Sequence, residues 1–240
     1  MKAVRTHGRG GPEQLFFEDA PVPVVRPGDV LVRVHSTGIT PAELTWDETY
    51  HNADGTPRIP SIPGHEPSGV VEETASNVTD FRAADEIYGL ADFPRDGAAA
   101  EFAAVPAPNL ALRPRSIPHA QAAALPLSAL TAWQALFEHA HLAVGQAVLI
   151  HGGAGGVGTM AVQLARWRGA HVLATGSSRD AALVRSLGAH DVIDYHATRF
   201  DDILRDIDVV LDTIGGETRE RSWRSAEGRH ASRTGFSDSG

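Results

Sequence analysis

The stretch Val148-Leu-Ile-His-Gly-Gly-Ala-Gly-Gly-Val-Gly158 admits few structures. An apolar run over residues 147–150 reads as a buried strand, and it stops at glycines spaced GxGxxG: Gly153, Gly155 and Gly158. Residues 159–168 follow with helical apolar spacing at Met160, Val162, Leu164, Ala165 and Trp167. A glycine-rich surface loop is the plain alternative, but it does not call for a strand before and a helix behind. Strand, glycine turn and helix in that order turn a weak pattern into a dinucleotide-binding reading. The first glycine permits a tight turn, the second lets backbone approach a pyrophosphate, and the third lets the helix pack closely. The helix N-terminus aims unpaired N–H groups and a positive dipole end at the phosphates. Gly153, Gly155, Gly156, Val157 and Gly158 are therefore the expected phosphate contacts.

Composition narrows the partners. A net charge of −9 and a pI near 5.7 argue against nucleic acid, which normally requires a basic face. No cysteine is present, so disulfides and thiolate metal sites are ruled out. The first residues, Met1-Lys-Ala-Val-Arg-Thr-His7, lack the apolar core of a signal peptide. No apolar run approaches the roughly 18 residues of a membrane helix. A soluble cytoplasmic protein is the expectation. Lys2 is the only lysine among 21 basic residues, a bias that suggests a GC-rich gene.

The first third is β-like and heavily punctuated. Candidate strands at 30–35, 69–73, 87–90 and 100–105 are bounded by Pro, Gly, Asp or Asn and suggest a compact barrel-like domain. The character changes near Ile117. Residues 118–124 and 128–140 read as helices, and the glycine loop then opens a regular alternation. Strands are expected at 147–150, 171–174, 192–195 and 208–211, with helices at 159–168, 179–187 and 199–205. Such alternation implies parallel strands with right-handed crossovers.

Ordered matches run along most of the chain. They are Pro27-Gly-Asp-Val-Leu-Val-Arg-Val34, Gly38-Ile-Thr-Pro-Ala-Glu43, Ile62-Pro-Gly-His-Glu-Pro-Ser-Gly-Val70 and Leu125-Pro-Leu-Ser-Ala-Leu-Thr-Ala-Trp-Gln-Ala135. Beyond the loop come Ser186-Leu-Gly-Ala-His-Asp-Val-Ile-Asp-Tyr195 and Asp208-Val-Val-Leu-Asp-Thr-Ile-Gly215. Together they resemble the medium-chain dehydrogenase/reductase superfamily, in its zinc-independent quinone oxidoreductase (zeta-crystallin-like) branch. The resemblance implies an α/β fold: an N-terminal GroES-like β-barrel domain over 1–117, then an incomplete Rossmann doubly wound parallel sheet over 118–224 that binds NADP. Residues 225–240 are expected to be a tail that is disordered or out of frame. A homodimer is expected for the family and is doubtful for a shortened chain.

Zinc relatives of this family use two thiolates and a histidine. Here His65-Glu66 is present, but Thr40 stands in the first ligand position and Ser128 in the third. One imidazole and stray carboxylates are too few soft donors for zinc, so no metal is expected. The chemistry then belongs to a nicotinamide delivering hydride to a quinone or enone, with the protein supplying binding, orientation and electrostatics. The resemblance puts Thr40 near the nicotinamide–substrate junction, where a hydroxyl stabilises charge developing on the acceptor oxygen. Tyr50 is a candidate proton donor, a half-buried packing aromatic being the other reading. Trp46 walls the cleft or packs in the core. Thr131 matches a position close to the cofactor, or caps a helical turn.

NAD-binding folds usually place an acid at the end of the second strand to hold the ribose hydroxyls. That strand here runs into Ala174-Thr-Gly-Ser-Ser-Arg179, with no acid before Asp180. Ser177, Ser178 and Arg179 suit a 2′-phosphate, and the resemblance puts Tyr195 beside it. The alternative has Ser178 capping the next helix and Arg179 in solvent. NADPH is the expected cofactor.

The leading expectation is an NADPH-dependent reductase of quinones or α,β-unsaturated carbonyls. An enoyl-thioester reductase of the same superfamily is the second, and a catalytically impaired NADPH-binding remnant the third. Relatives carry a further glycine-flanked strand where this chain has Ser225-Ala-Glu-Gly-Arg-His-Ala-Ser-Arg233, and with GC-rich codon choices a one-nucleotide shift of frame can yield such a pattern. Without later strands, the strand at 207–211 would become an open sheet edge that invites aggregation. The tail, with little to bury, would be disordered.

Overall fold

The computed structural model describes residues 1–52, 54–225 and 232–235. The chain divides into two compact units, Met1–Leu127 and Ser128–Gly240.

In the first unit, β1 (Lys2–Thr6) and β2 (Leu15–Asp19) form an antiparallel pair, Lys2 facing Asp19. β3 (Asp29–Thr37), β4 (Pro67–Thr74), β5 (Glu86–Gly89), β6 (Phe102–Pro106) and β7 (Leu110–Leu112) make a sheet ordered β6-β3-β4-β5-β7, antiparallel throughout. Bridges Ala3–Ala100 and Thr6–Ser61 tie the hairpin to the rest of the unit. Period-two alternation places Val30 and Val32 on one face, where they pack with Val71, Ile87 and Val105. The expected strands at 30–35, 69–73, 87–90 and 100–105 all form, as β3 to β6. Beyond β7, the helix α1 (His119–Ala122) packs against β3 and β4. The first compact unit runs to Leu127 and so includes α1.

The helix α2 (Pro126–Trp133) continues as a π-helical turn over Gln134–His139. The second unit then alternates: β8 (Ala147–Ile150), α3 (Gly156–Arg168), β9 (His171–Gly176), α4 (Ala181–Ser186), β10 (Asp191–Asp194), α5 (Phe200–Ile203), β11 (Val209–Asp212), α6 (Gly216–Ser225) and β12 (Ser232–Gly235). The sheet is parallel throughout, in the order β10-β9-β8-β11-β12. Both its faces are covered. Val148 and Ile150 pack with Ala161, Val162 and Ala165 of α3, while Leu149, Leu173 and Val210 pack with Phe200 and Ile207 on the other side. That is the doubly wound arrangement the strand–helix alternation predicts. At the far end of α3, Trp167 is exposed and its ring centre lies 6.2 Å from that of Trp133.

One expectation is corrected. The strand at 207–211 does not form an open edge: β12 runs alongside β11, with Val209 opposite Ser232 and Asp212 opposite Gly235. Main-chain hydrogen bonding needs no apolar side chains, and so Ser-Arg-Thr-Gly serves as a strand without the pattern that announces one. The disorder expected of the tail otherwise falls on residues 226–231 and 236–240, which lie outside the described residues.

Candidate functional site

The glycine loop links the end of β8 to α3 in the second unit. Its glycines do different work. A Cβ on Gly158 would run into the carbonyl oxygen of Gly152, so this position closes the turn from strand to helix. A Cβ on Gly153 would sit 2.8 Å from Cβ of Ala174 and 3.1 Å from Val184, so this position lets the loop lie on β9. Gly155 is different. Its φ of −76° suits any residue, and an added Cβ would meet only Gly152 O, at 3.2 Å. The fold tolerates a side chain there better than at the other two, and it is the position whose bare backbone a ligand would use. Gly155 is the N-cap of α3 and offers no side-chain cap, leaving the first-turn N–H groups of Gly156, Val157 and Gly158 without a side-chain acceptor. Val157 packs its side chain on the core.

The ends of β9 and β10 bring together a second group. Tyr195 N–H donates to Gly176 O, which sets Tyr195 beside the segment Ser177-Ser178-Arg179. The Tyr195 ring is exposed, and its centre lies 4.2 Å from that of the His196 ring, the two planes tilted by 42°. Ser177 Oγ donates to Asp180 Oδ2 at 2.7 Å, and that bond holds the Asp180 carboxyl below its usual range. Ser178 is exposed. Arg179 points outward, its side chain 89% exposed, with Nε 3.5 Å from Asp180 Oδ1. Thr131 is half-buried on α2.

In the first unit, Thr40 precedes the 3-10 turn Pro41–Thr45, and its hydroxyl lies 3.5 Å from Glu66 Oε2. Glu66 Oε1 accepts the Leu127 N–H at 2.9 Å. Burial pushes the Glu66 carboxyl above its usual range, against the pull of the Leu127 and Thr40 donors. The same turn aims Glu43 inward, where Oε1 stands 2.5 Å from His65 Nδ1 and both oxygens accept the Gly64 N–H. His65 Nε2 faces the Arg95 carbonyl at 3.0 Å. In the sequence Glu43 is marked by nothing more than its place three residues after Thr40, and it becomes readable once the 3-10 turn is known. Tyr50 is 4% exposed, its OH donates to Leu44 O at 2.6 Å, and Arg9 lies over its ring. Its proton is engaged by main chain, which favours the packing reading over the proton donor. Trp46 packs edge-on against Phe93.

Comparison with known proteins places the chain. The family described as alcohol dehydrogenase GroES-like domain matches residues 26–115, and the family described as zinc-binding dehydrogenase matches residues 156–228. The chain is 36% identical over 224 residues to the NADPH-dependent alkenal/one oxidoreductase, chloroplastic, of Arabidopsis thaliana, covering 90% of this chain and 58% of the plant protein. It is 32% identical over 227 residues to the quinone oxidoreductase of Mus musculus, covering 90% and 67%. The solved quinone oxidoreductase from Coxiella burnetii superposes with a TM-score of 0.84 at 32% identity, covering 92% of this chain and 71% of that one. Zinc does not fit the residues present. Both ring nitrogens of His65 already face protein acceptors, Thr40 offers a hard hydroxyl, and the chain has no cysteine. With both halves matched in order, the chain belongs to the medium-chain dehydrogenase/reductase superfamily, among its quinone oxidoreductase-like members.

Proposed function

We propose that this protein is an NADPH-dependent reductase of quinones or α,β-unsaturated carbonyl compounds. The observation that carries the reading is the glycine loop. It closes on Gly158 and Gly153 by steric need, yet keeps Gly155 bare where the fold requires it least. That asymmetry suits a pyrophosphate seated on the loop and on the first turn of α3. Bound there, NADPH supplies a hydride to the electron-poor carbon of the acceptor.

The chain's own residues bind and orient. Ser177, Ser178, Arg179 and Tyr195 suit the 2′-phosphate that separates NADPH from NADH. An arriving phosphate competes with Asp180 for Arg179 and Ser177, so recognition is an exchange of partners. Thr40 is the hydroxyl we assign to the acceptor oxygen. Glu66, its carboxyl pushed up by burial, accepts from that hydroxyl across 3.5 Å and helps to hold it in place. Both the plant and the mouse relatives carry names that fit this substrate class.

Fluorescence titration with NADPH and NADH, followed by NADPH oxidation with 1,2-naphthoquinone and a panel of enones, tests the proposal. Binding of NADPH in preference to NADH, with turnover that persists in chelator, is the expected result. No oxidation across quinones and enones would overturn the activity. Stoichiometric zinc, with activity lost in chelator, would overturn the metal-free chemistry.

A further inference from the structure

We propose that His151 is a positioning residue for the dinucleotide loop, acting through Thr175, and that it works as a neutral imidazole protonated on Nε2. The inference rests on the reading of that loop as the cofactor site.

His151 is the last residue before the glycines and is 1% exposed. Its ring lies edge-on to Phe200, with centres 4.6 Å apart. Each nitrogen has one hydroxyl partner: Nδ1 is 3.2 Å from Thr175 Oγ1, and Nε2 is 2.9 Å from Ser222 Oγ. Ser222 fixes the direction of the whole chain of bonds. Its single hydroxyl proton is donated to Thr218 O at 2.7 Å, so towards His151 it can only accept. The proton therefore sits on Nε2. Nδ1 is bare and accepts from the Thr175 hydroxyl, which leaves Thr175 Oγ1 free to accept the Gly152 N–H at 3.2 Å. The Thr175 carbonyl takes the next loop N–H, that of Gly153, at 2.9 Å.

The bonds thus run without conflict from Gly152 through Thr175, His151 and Ser222 to Thr218. Two consecutive loop amides are set from below by one residue of β9, whose hydroxyl is aimed by the ring. Burial keeps the ring neutral. Burial pushes His151 down to about 4; Asp212 at the end of β11 opposes this and Arg221 on α6 adds to it. A second proton, placed on Nδ1, would turn the Thr175 hydroxyl away and remove its role as donor.

Two substitution pairs and one spectrum test this on the full chain. Thr175→Val keeps the shape and removes the hydroxyl, while Thr175→Ser keeps the hydroxyl. His151→Asn keeps an acceptor on the Thr175 side, while His151→Gln keeps a donor on the Ser222 side. We expect Thr175→Val and His151→Gln to weaken NADPH binding about tenfold, with Thr175→Ser and His151→Asn near the parent. Urea midpoints measured alongside separate positioning from stability: affinity losses that simply follow stability would overturn the inference. Nitrogen-15 spectra of the nucleotide-free protein should show a neutral ring with its proton on Nε2, and a proton on Nδ1 at neutral pH would overturn it. A parent protein that fails to bind NADPH would refute the cofactor reading, and the spectrum would still report the tautomer.

Discussion

Oε1 of Glu43 stands 2.5 Å from Nδ1 of His65, with both side chains almost wholly out of solvent. The opposite ring nitrogen faces the Arg95 carbonyl, so His65 meets an acceptor at each end. Deleting one partner of such a buried pair strands the other. Glu43→Ala should destabilise the first unit by about 3 kcal/mol. The check is the urea midpoint at constant slope, and an unchanged midpoint would show that the pair contributes nothing.

The glycine loop offers a paired test. Gly155→Val should abolish NADPH binding while costing less stability than a side chain at Gly158, because Gly155 has ordinary backbone and its added Cβ meets a single atom, at 3.2 Å. Gly158→Ala should instead lower stability by about 1–3 kcal/mol, since its Cβ meets the Gly152 carbonyl. Retained NADPH fluorescence enhancement in Gly155→Val would remove the loop from the site.

Among the described residues Arg179 pairs with Asp180, across 3.5 Å, and its side chain is 89% exposed. Its replacement by Ala should weaken NADPH by about 1–3 kcal/mol and leave NADH unaffected. Equal losses for both nucleotides, measured by titration, would show that Arg179 does not read the 2′-phosphate.

Tyr50→Phe should cost about 1 kcal/mol of stability, the value of the bond to the Leu44 carbonyl. Its kcat with 1,2-naphthoquinone should match the parent. A large fall in kcat at unchanged KM would restore Tyr50 as a proton donor.

Acid should loosen the second unit in a defined window. His151 has its pKa lowered from 6.5 to about 4 in the folded chain, so between those values the unfolded chain takes up the proton first. Stability is therefore full above pH 6.5 and falls as pH drops towards 4, by about 3 kcal/mol in all. Asp201, held below its usual range chiefly by Arg221, adds its own loss only at still lower pH. Urea midpoints from pH 7 to 4 should slope for the parent and flatten for His151→Asn. A flat parent profile would refute the assignment.

The second unit is far more legible in its sequence than the first. β8 begins and ends where its apolar run does, because buried strands of a parallel sheet need apolar residues on both faces and the glycines mark the stop. β1, β2 and β7 are harder to see. Lys2-Ala-Val-Arg-Thr6 mixes charge with short apolar residues, and Leu110-Ala-Leu112 is too brief for periodicity to register. The buried polar residues are the least legible of all. Glu43 reads as a loop acid until the 3-10 turn directs it to His65. His151 reads as the first residue of a loop, since its partner Ser222 lies 71 positions away in sequence.

The indoles of Trp133 and Trp167 have a practical consequence. α3 begins at the glycine loop, and ten residues at the helical rise put Trp167 about 15 Å along the axis from Val157. Reduced nicotinamide absorbs in the range where indole emits. A nucleotide held at the loop should therefore quench the emission of a neighbouring indole pair by energy transfer, and oxidised nucleotide should not. With the loop occupied as proposed, the fold would carry its own optical gauge of cofactor occupancy and redox state, one that needs no label.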